Sequence, residues 1–277
     1  TYIQNVPLVE ITADPKMKLE FSGAAAGIAP KYQDDYVAWT KRVTASTAMD
    51  AEMIFVGYGV QAPEFQWDDF KGVDVKGKVI VVLVNDPPLP DEKVFGGKAM
   101  TYYGRWTYKF EKAAEKGAAG CLIIHETGPA GYPWDVVRNS WGRGQFDLVT
   151  PDKNMGRVAV EGWMTWELAE KVFKSAGKDL AALKKSAVTR EFKPVPLGLR
   201  AKLAFENSLR TVDSKNVVAK LPGSDAKLKN EYVIYCAHWD HFGIGPEVKG
   251  DKIYNGAVDN ATGTAALLEM ARAYKQL

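Results

Sequence analysis

Two uninterrupted apolar runs, Val79-Ile-Val-Val-Leu-Val84 and Gly120-Cys-Leu-Ile-Ile124, restrict what this chain can fold into more than any other feature. A strand with one wet face alternates apolar and polar residues. These runs have no polar position, so each is expected to be covered on both faces. Lys76-Gly77-Lys78 introduces the first run and Asn85-Asp-Pro-Pro88 stops it. Between the two, Arg105 to Lys116 has helical periodicity, with Trp106, Phe110, Ala113 and Ala114 on one face and Lys109, Glu111, Lys112 and Glu115 elsewhere. Gly117 supplies a helix stop. Strand, helix and strand in that order predict a parallel pair joined by a right-handed crossover, hence an α/β fold.

The flanking sequence adds further elements. Thr1 to Ala13, Lys18 to Phe21 and Val37 to Trp39 read as strands, as does Met53 to Val56, which ends at Gly57. Pro129 to Gly144 reads as an aromatic loop, and Val158 to Val160 as a short strand. Thr165 to Ala176 is predicted helical, with Thr165 as N-cap and Gly177 beyond its end, and Asp179 to Lys185 forms a shorter helix. Leu199 to Phe205 and Asn216 to Ala219 read as strands, Glu231 to Ala237 as a buried central strand, and Ala261 to Leu277 as a helix with a broad apolar face. The expected organisation is an insertion. Residues 48–196 form a self-contained α/β unit, and residues 1–47 and 197–277 contribute to one other sheet.

Composition narrows the function classes. A chain of 277 residues has room for two ordinary domains, and 46% apolar with 25% charged residues is a globular balance. A net charge of +2 gives no footprint for nucleic acid, and the lysines between Lys171 and Lys193 are interleaved with acids. No apolar run is long enough to span a bilayer. The chain opens on Thr1 without a methionine or signal peptide, so it is expected to be a processed or trimmed product. Cys121 and Cys236 lie inside apolar runs, where cysteine acts as a small hydrophobe.

Chemistry concentrates near the end. Two of the three histidines, His238 and His241, fall within four residues, directly after the predicted strand 231–237. Ligand sites of open α/β sheets lie at the carboxyl ends of such strands. Neutral imidazole suits zinc, so His238 is a candidate ligand, and Asp240 is placed to fix its ring orientation. Asp259 lies between Gly256 and Gly263 where a helix begins, and its two carboxylate oxygens could bridge two metals. Each residue also has a plainer reading. His238-x-Asp240 occurs by chance, Asp259-Asn260 can serve as an N-cap, His241 as a capping or hydrogen-bonding residue, and His125 as a satisfied structural histidine. The glycosylation sequon Asn260-Ala-Thr262 is discounted because it opens a helix whose end should face the sheet.

His238-Trp-Asp240-His-Phe-Gly243, Tyr254-Asn-Gly-Ala-Val-Asp259-Asn-Ala-Thr-Gly263 and Leu267-Leu-Glu-Met-Ala-Arg272 together resemble the co-catalytic zinc aminopeptidase family, which includes aminopeptidases S and Y and, more distantly, glutamate carboxypeptidase. The middle, notably Val79 to Pro87 and Tyr102 to Glu126, resembles the protease-associated domain that some of these enzymes carry as an insertion. The resemblance implies a partial mixed-sheet zinc-peptidase domain with an inserted α/β domain, a peptide substrate, and a periplasmic or secreted location. His238 would ligate one zinc, Asp259 would bridge two, and Asp240 would support from behind. The family also needs a Glu-Glu pair, a further acid and a final histidine. This sequence has no Glu-Glu pair and no histidine after His241. The chain is therefore expected to be a fragment, truncated before the remaining ligands, with no catalytic base and no activity alone. The rivals are a peptide- or protein-binding module with a vestigial metal site, and a carboxypeptidase or single-zinc glutaminyl cyclase on the same scaffold.

Overall fold

The computed structural model describes residues 2–276 apart from residues 92 and 98. Its strands are β1 (Ile3–Ala13), β2 (Glu20–Ser22), β3 (Tyr36–Trp39), β4 (Ser46–Phe55), β5 (Gln61–Ala62), β6 (Trp67–Asp68), β7 (Val79–Leu83), β8 (Gly120–His125), β9 (Gln145–Leu148), β10 (Val160–Thr165), β11 (Val195–Val217), β12 (Gly243–Val248) and β13 (Asp251–Tyr254). Its helices are α1 (Trp106–Glu115), α2 (Thr127–Ala130), α3 (Trp134–Trp141), α4 (Trp166–Ser175), α5 (Leu180–Ser186) and α6 (Ala261–Gln276). Two compact units divide the chain: residues 5–214, and residues 215–277 together with residues 1–4.

The larger unit is built on a mixed sheet in the order β3-β10-β8-β7-β4-β11-β1-β9, with β2 also paired to β11. β4, β7, β8 and β10 run parallel to one another, and β3 and β11 pair antiparallel at either side of that group. Strands drawn from residues 3–46 and 195–217 thus share one sheet with residues 48–165. The sheet is covered on both faces, as the apolar runs require. Val79, Val81 and Leu83 point into one core with Leu168, Val172 and Phe173 of α4 and Leu180 of α5. Ile80, Val82 and Val84 point into the other, with Phe110 and Ala113 of α1 and Val137 and Trp141 of α3. Each such side chain contributes about 1.5–3 kcal/mol on burial. β11 alternates instead: Leu197, Leu199, Ala201, Leu203 and Phe205 are buried and the residues between them are exposed.

Four sequence expectations change on contact with the structure. First, Lys109, which the periodicity sets off the apolar face of α1, does not reach solvent. It is buried, and its Nζ donates to the carbonyls of Tyr58 at 2.5 Å and Asn85 at 2.9 Å, just beyond the ends of β4 and β7. Those carbonyls have no strand neighbour left to satisfy them, and an ammonium can donate to both. Second, residues 129–144 are not merely a loop. They include α3, whose eight residues bury only Val137 and Trp141, too few for a readable helical period. Third, the strand expected at 158–160 runs instead from Val160 to Thr165. Its apolar pattern is interrupted by Glu161, which accepts from Trp39 Nε1 at 3.1 Å, and by Gly162. A Cβ at Gly162 would meet the Val37 carbonyl oxygen at 2.8 Å, so the close approach of β3 explains the glycine. Fourth, residues 231–237 form no strand. Val233 and Ile234 are 80% and 82% exposed, and among the described residues of their unit the ladder-paired strands are those of the β12–β13 hairpin and the unit's ends of β1 and β11. A buried strand must pair its backbone on both sides, and apolar composition alone supplies no partner.

At the β9 edge of the sheet, Val149 N donates to Pro7 O, and the antiparallel alternation then turns the N–H and C=O groups of Phe146 and Leu148 outward. Lys41 Nζ donates to Phe146 O at 3.0 Å, and Leu148 N donates to the Asp147 carboxylate at 2.8 Å. Among the described residues no helix is long and apolar enough to cross a membrane.

Candidate metal centre

The smaller unit carries the residues singled out at the end of the chain. α6 forms because residues 261–272 are mostly strong helix formers, and because Asn260 caps it: Asn260 Oδ1 accepts from Gly263 N at 3.2 Å. The N-cap is therefore Asn260, which leaves the Asp259 carboxylate free. The loop before the helix turns at Gly256, with φ +68. A Cβ there would lie 2.8 Å from both Asp259 O and His241 Cβ, so only glycine fits. Ala261 N donates to Gly256 O at 3.0 Å and closes the turn, and the Asp259–Asn260 peptide is cis.

This turn brings His238 and Asp259 together: His238 Nε2 lies 3.1 Å from Asp259 Oδ1. On the other side of the ring, His238 Nδ1 lies 2.9 Å from the backbone oxygen of Asp240 and 3.6 Å from its Oδ1. A carbonyl oxygen can only accept, so Nδ1 is the donor in that contact, and Nε2 is the nitrogen turned toward Asp259. An imidazole nitrogen and a carboxylate oxygen at this distance need a proton or a cation between them. Two ligands on a tetrahedral zinc are about 3.4 Å apart, given bond lengths of about 2.0–2.2 Å. The pair is within about 0.3 Å of that spacing, and its donor chemistry suits the metal. Asp240 contributes chiefly through its main-chain oxygen, while its carboxylate remains exposed.

The set is incomplete. Among the described residues no group of three or more His, Cys, Asp or Glu side chains is gathered so that it could hold a metal ion. His241 does not join the pair. Its ring packs on Phe242 with centroids 4.3 Å apart and lies near Tyr254. His125 is in the other unit and is buried, with Nε2 at 3.0 Å from Tyr132 O; burial pulls its pKa down, and it behaves as a satisfied structural histidine. Cys121 is buried and Cys236 exposed, both as free thiols. Beside the His238–Asp259 pair opens a cleft of about 440 Å³ lined by Trp239, Asp240, His241, Asn255, Thr264 and Leu268, among others. The pair itself is open to solvent, with side-chain exposures of 55% and 70%.

Residues 216–277 match Peptidase family M28. Over 180 residues the chain is 26% identical to the human protein named BOS complex subunit NCLN (Homo sapiens), covering 61% of this chain and 29% of that one. The corresponding dog protein (Canis lupus familiaris) is 24% identical over 180 residues with the same coverage. The chain thus spans less than a third of the length of these curated relatives. Among solved structures it is similar to an aminopeptidase from Aneurinibacillus sp. strain AM-1, with 20% identity and a TM-score of 0.41, covering 99% of this chain and 49% of that one.

Proposed function

We propose that residues 197–277 contribute part of the active site of a zinc aminopeptidase that removes N-terminal residues from peptides. The observation that carries this reading is the His238 Nε2–Asp259 Oδ1 spacing of 3.1 Å, in a stretch that matches Peptidase family M28. His238 and Asp259 would together hold zinc, the imidazole and the carboxylate each supplying donor chemistry that suits it. Bound there, zinc would supply Lewis acidity and a water acidified to near neutral pH. The part played by this chain is orientation. Asp240 O holds the His238 Nδ1 proton, which fixes the tautomer and aims Nε2 at Asp259. The cleft beside the pair would receive the peptide terminus, and no glutamate is among its lining residues to take a proton from water. The general base and the remaining ligands therefore belong to other residues of the intact protein, and the 277-residue chain alone is expected to hydrolyse nothing. Residues 48–196, whose parallel β4-β7-β8-β10 core is extended in the same sheet by β1, β2, β3 and β11 from the flanking sequence, are proposed as a protease-associated domain that governs substrate access.

A second reading is favoured by two observations. Among the described residues only two metal donors converge, and the curated relatives are named as subunits of a complex. On that reading the intact protein is a non-catalytic binding subunit and the His–Asp pair is vestigial. Zinc titration by calorimetry, combined with aminoacyl-nitroanilide turnover, tests both. The peptidase reading expects weak zinc binding by this chain, abolished by His238→Ala or Asp259→Ala, with two zincs and turnover in the intact protein. Heat of binding untouched by either substitution would refute it. An intact protein with no zinc and no turnover would establish the second reading.

A further inference from the structure

We infer that Asn260 is a positioning residue for the His238–Asp259 pair, tying the histidine's backbone to the start of α6. The inference rests on the zinc reading above and adds a residue to it. Asn260 uses both ends of its side chain. Oδ1 accepts from Gly263 N at 3.2 Å, and Nδ2 donates to His238 O at 3.2 Å, across 22 residues of sequence. The first bond anchors the amide to the helix. The second holds the His238 carbonyl, and with it the turn 238–240 through which Nδ1 reaches Asp240 O. Asp259 is covalently next to Asn260. One amide therefore restrains both members of the pair, from the helix side and from the histidine side, and sets their 3.1 Å separation.

Gly263 is the counterpart of this contact. Its φ is ordinary, so backbone freedom does not explain it. A Cβ there would stand 2.5 Å from Asn260 Oδ1 and 2.7 Å from Nδ2. Glycine in the first turn of the helix is thus the space the asparagine amide occupies.

Three forms of the 277-residue chain test this: wild type, Asn260→Asp and Gly263→Ala. Aspartate caps a helix as well as asparagine but cannot donate to the His238 carbonyl. Alanine at 263 favours the helix and displaces the asparagine amide. Co²⁺ is titrated into each form and read by its d–d absorption, with Zn²⁺ competition giving affinities. Losing a group that orients a ligand typically weakens metal affinity about 10–100-fold. That loss is expected for both variants, with helicity unchanged, and for Asn260→Asp it would run against the attraction of an added negative charge. Affinity equal to or tighter than wild type in both variants would overturn the inference and leave Asn260 a cap only. If wild type binds neither metal, the zinc reading falls, and the tether is judged on His238 ring ¹⁵N shifts at one fixed pH. A Nδ1-protonated tautomer in wild type that becomes a tautomer mixture in both variants would uphold it. The same tautomer in all three would sink it.

Discussion

Replacing Glu161 by glutamine should stabilise the larger unit at pH 8 and leave it nearly unchanged at pH 5. Glu161, the second residue of β10, is buried, with Oε2 accepting from Trp39 Nε1 at 3.1 Å. Burial pushes its carboxyl up from an ordinary 4.5 to about 7; Lys41, Arg157 and the Trp39 bond pull it partly back, and Asp147 adds a smaller upward push. The folded state therefore keeps a proton that the unfolded chain has released throughout the window from 4.5 to about 7. Stability must fall as pH rises through that window and level off above it. A span of about 2.5 pH units at about 1.4 kcal/mol each gives about 3 kcal/mol. Glutamine has the same shape, keeps an oxygen for Trp39 and has no proton to lose. The gain at pH 8 is expected to be about 3 kcal/mol, or about 6–12 °C in Tm for a unit of this size, and under about 1 kcal/mol at pH 5. Urea unfolding followed by tryptophan fluorescence at the two pH values measures both. Other titrating groups, such as Lys109 and Asp69, are common to the two proteins and cancel in the difference. A gain of the same size at both pH values, or none at pH 8, would refute the reasoning.

Three further substitutions probe the scaffold. Thr165→Ala removes the hydroxyl that accepts from Leu168 N at 3.2 Å and should cost about 1 kcal/mol, seen as a lower urea midpoint at unchanged slope. Gly162→Ala would set a Cβ 2.8 Å from Val37 O and 2.9 Å from Leu122 Cδ2 and should cost about 1–3 kcal/mol, whereas Gly128→Ala, with nothing within 4 Å, should stay within about 0.5 kcal/mol; thermal melts distinguish them.

Much of the scaffold could be read from residue order. β7 and β8 are covered on both faces and so carry no polar position before His125 at the end of β8, and α1, α4 and α5 announce their ends through Gly117, Thr165, Gly177 and Asp179. The parallel pairing of β7 with β8 followed from the helix between them. What escaped was set by contacts distant in sequence. Glu161 and Gly162 look like a strand break until β3 lies beside them, and Lys109 looks solvated until the Tyr58 and Asn85 carbonyls meet it. The site divides in the same way. His238, Asp240 and Asp259 were visible as residue types at suggestive spacing. The part of Asn260 was not, because its second partner is a backbone carbonyl that no pattern marks. Residues 231–237 are the opposite case: their composition suits a core strand, but a strand exists only where neighbours offer hydrogen bonds.

That segment gives the dressed β9 edge a consequence for the protein in solution. Tyr232 to Tyr235 are apolar, strand-prone and unpaired, the kind of peptide that adds to any sheet with free edge groups. With Lys41 on the Phe146 carbonyl and the Asp147 carboxylate on the Leu148 amide, an incoming strand would have to strip two charged groups from their bonds before making its own. At the β9 edge those two bonds oppose the addition of the exposed 232–235 segment of another copy.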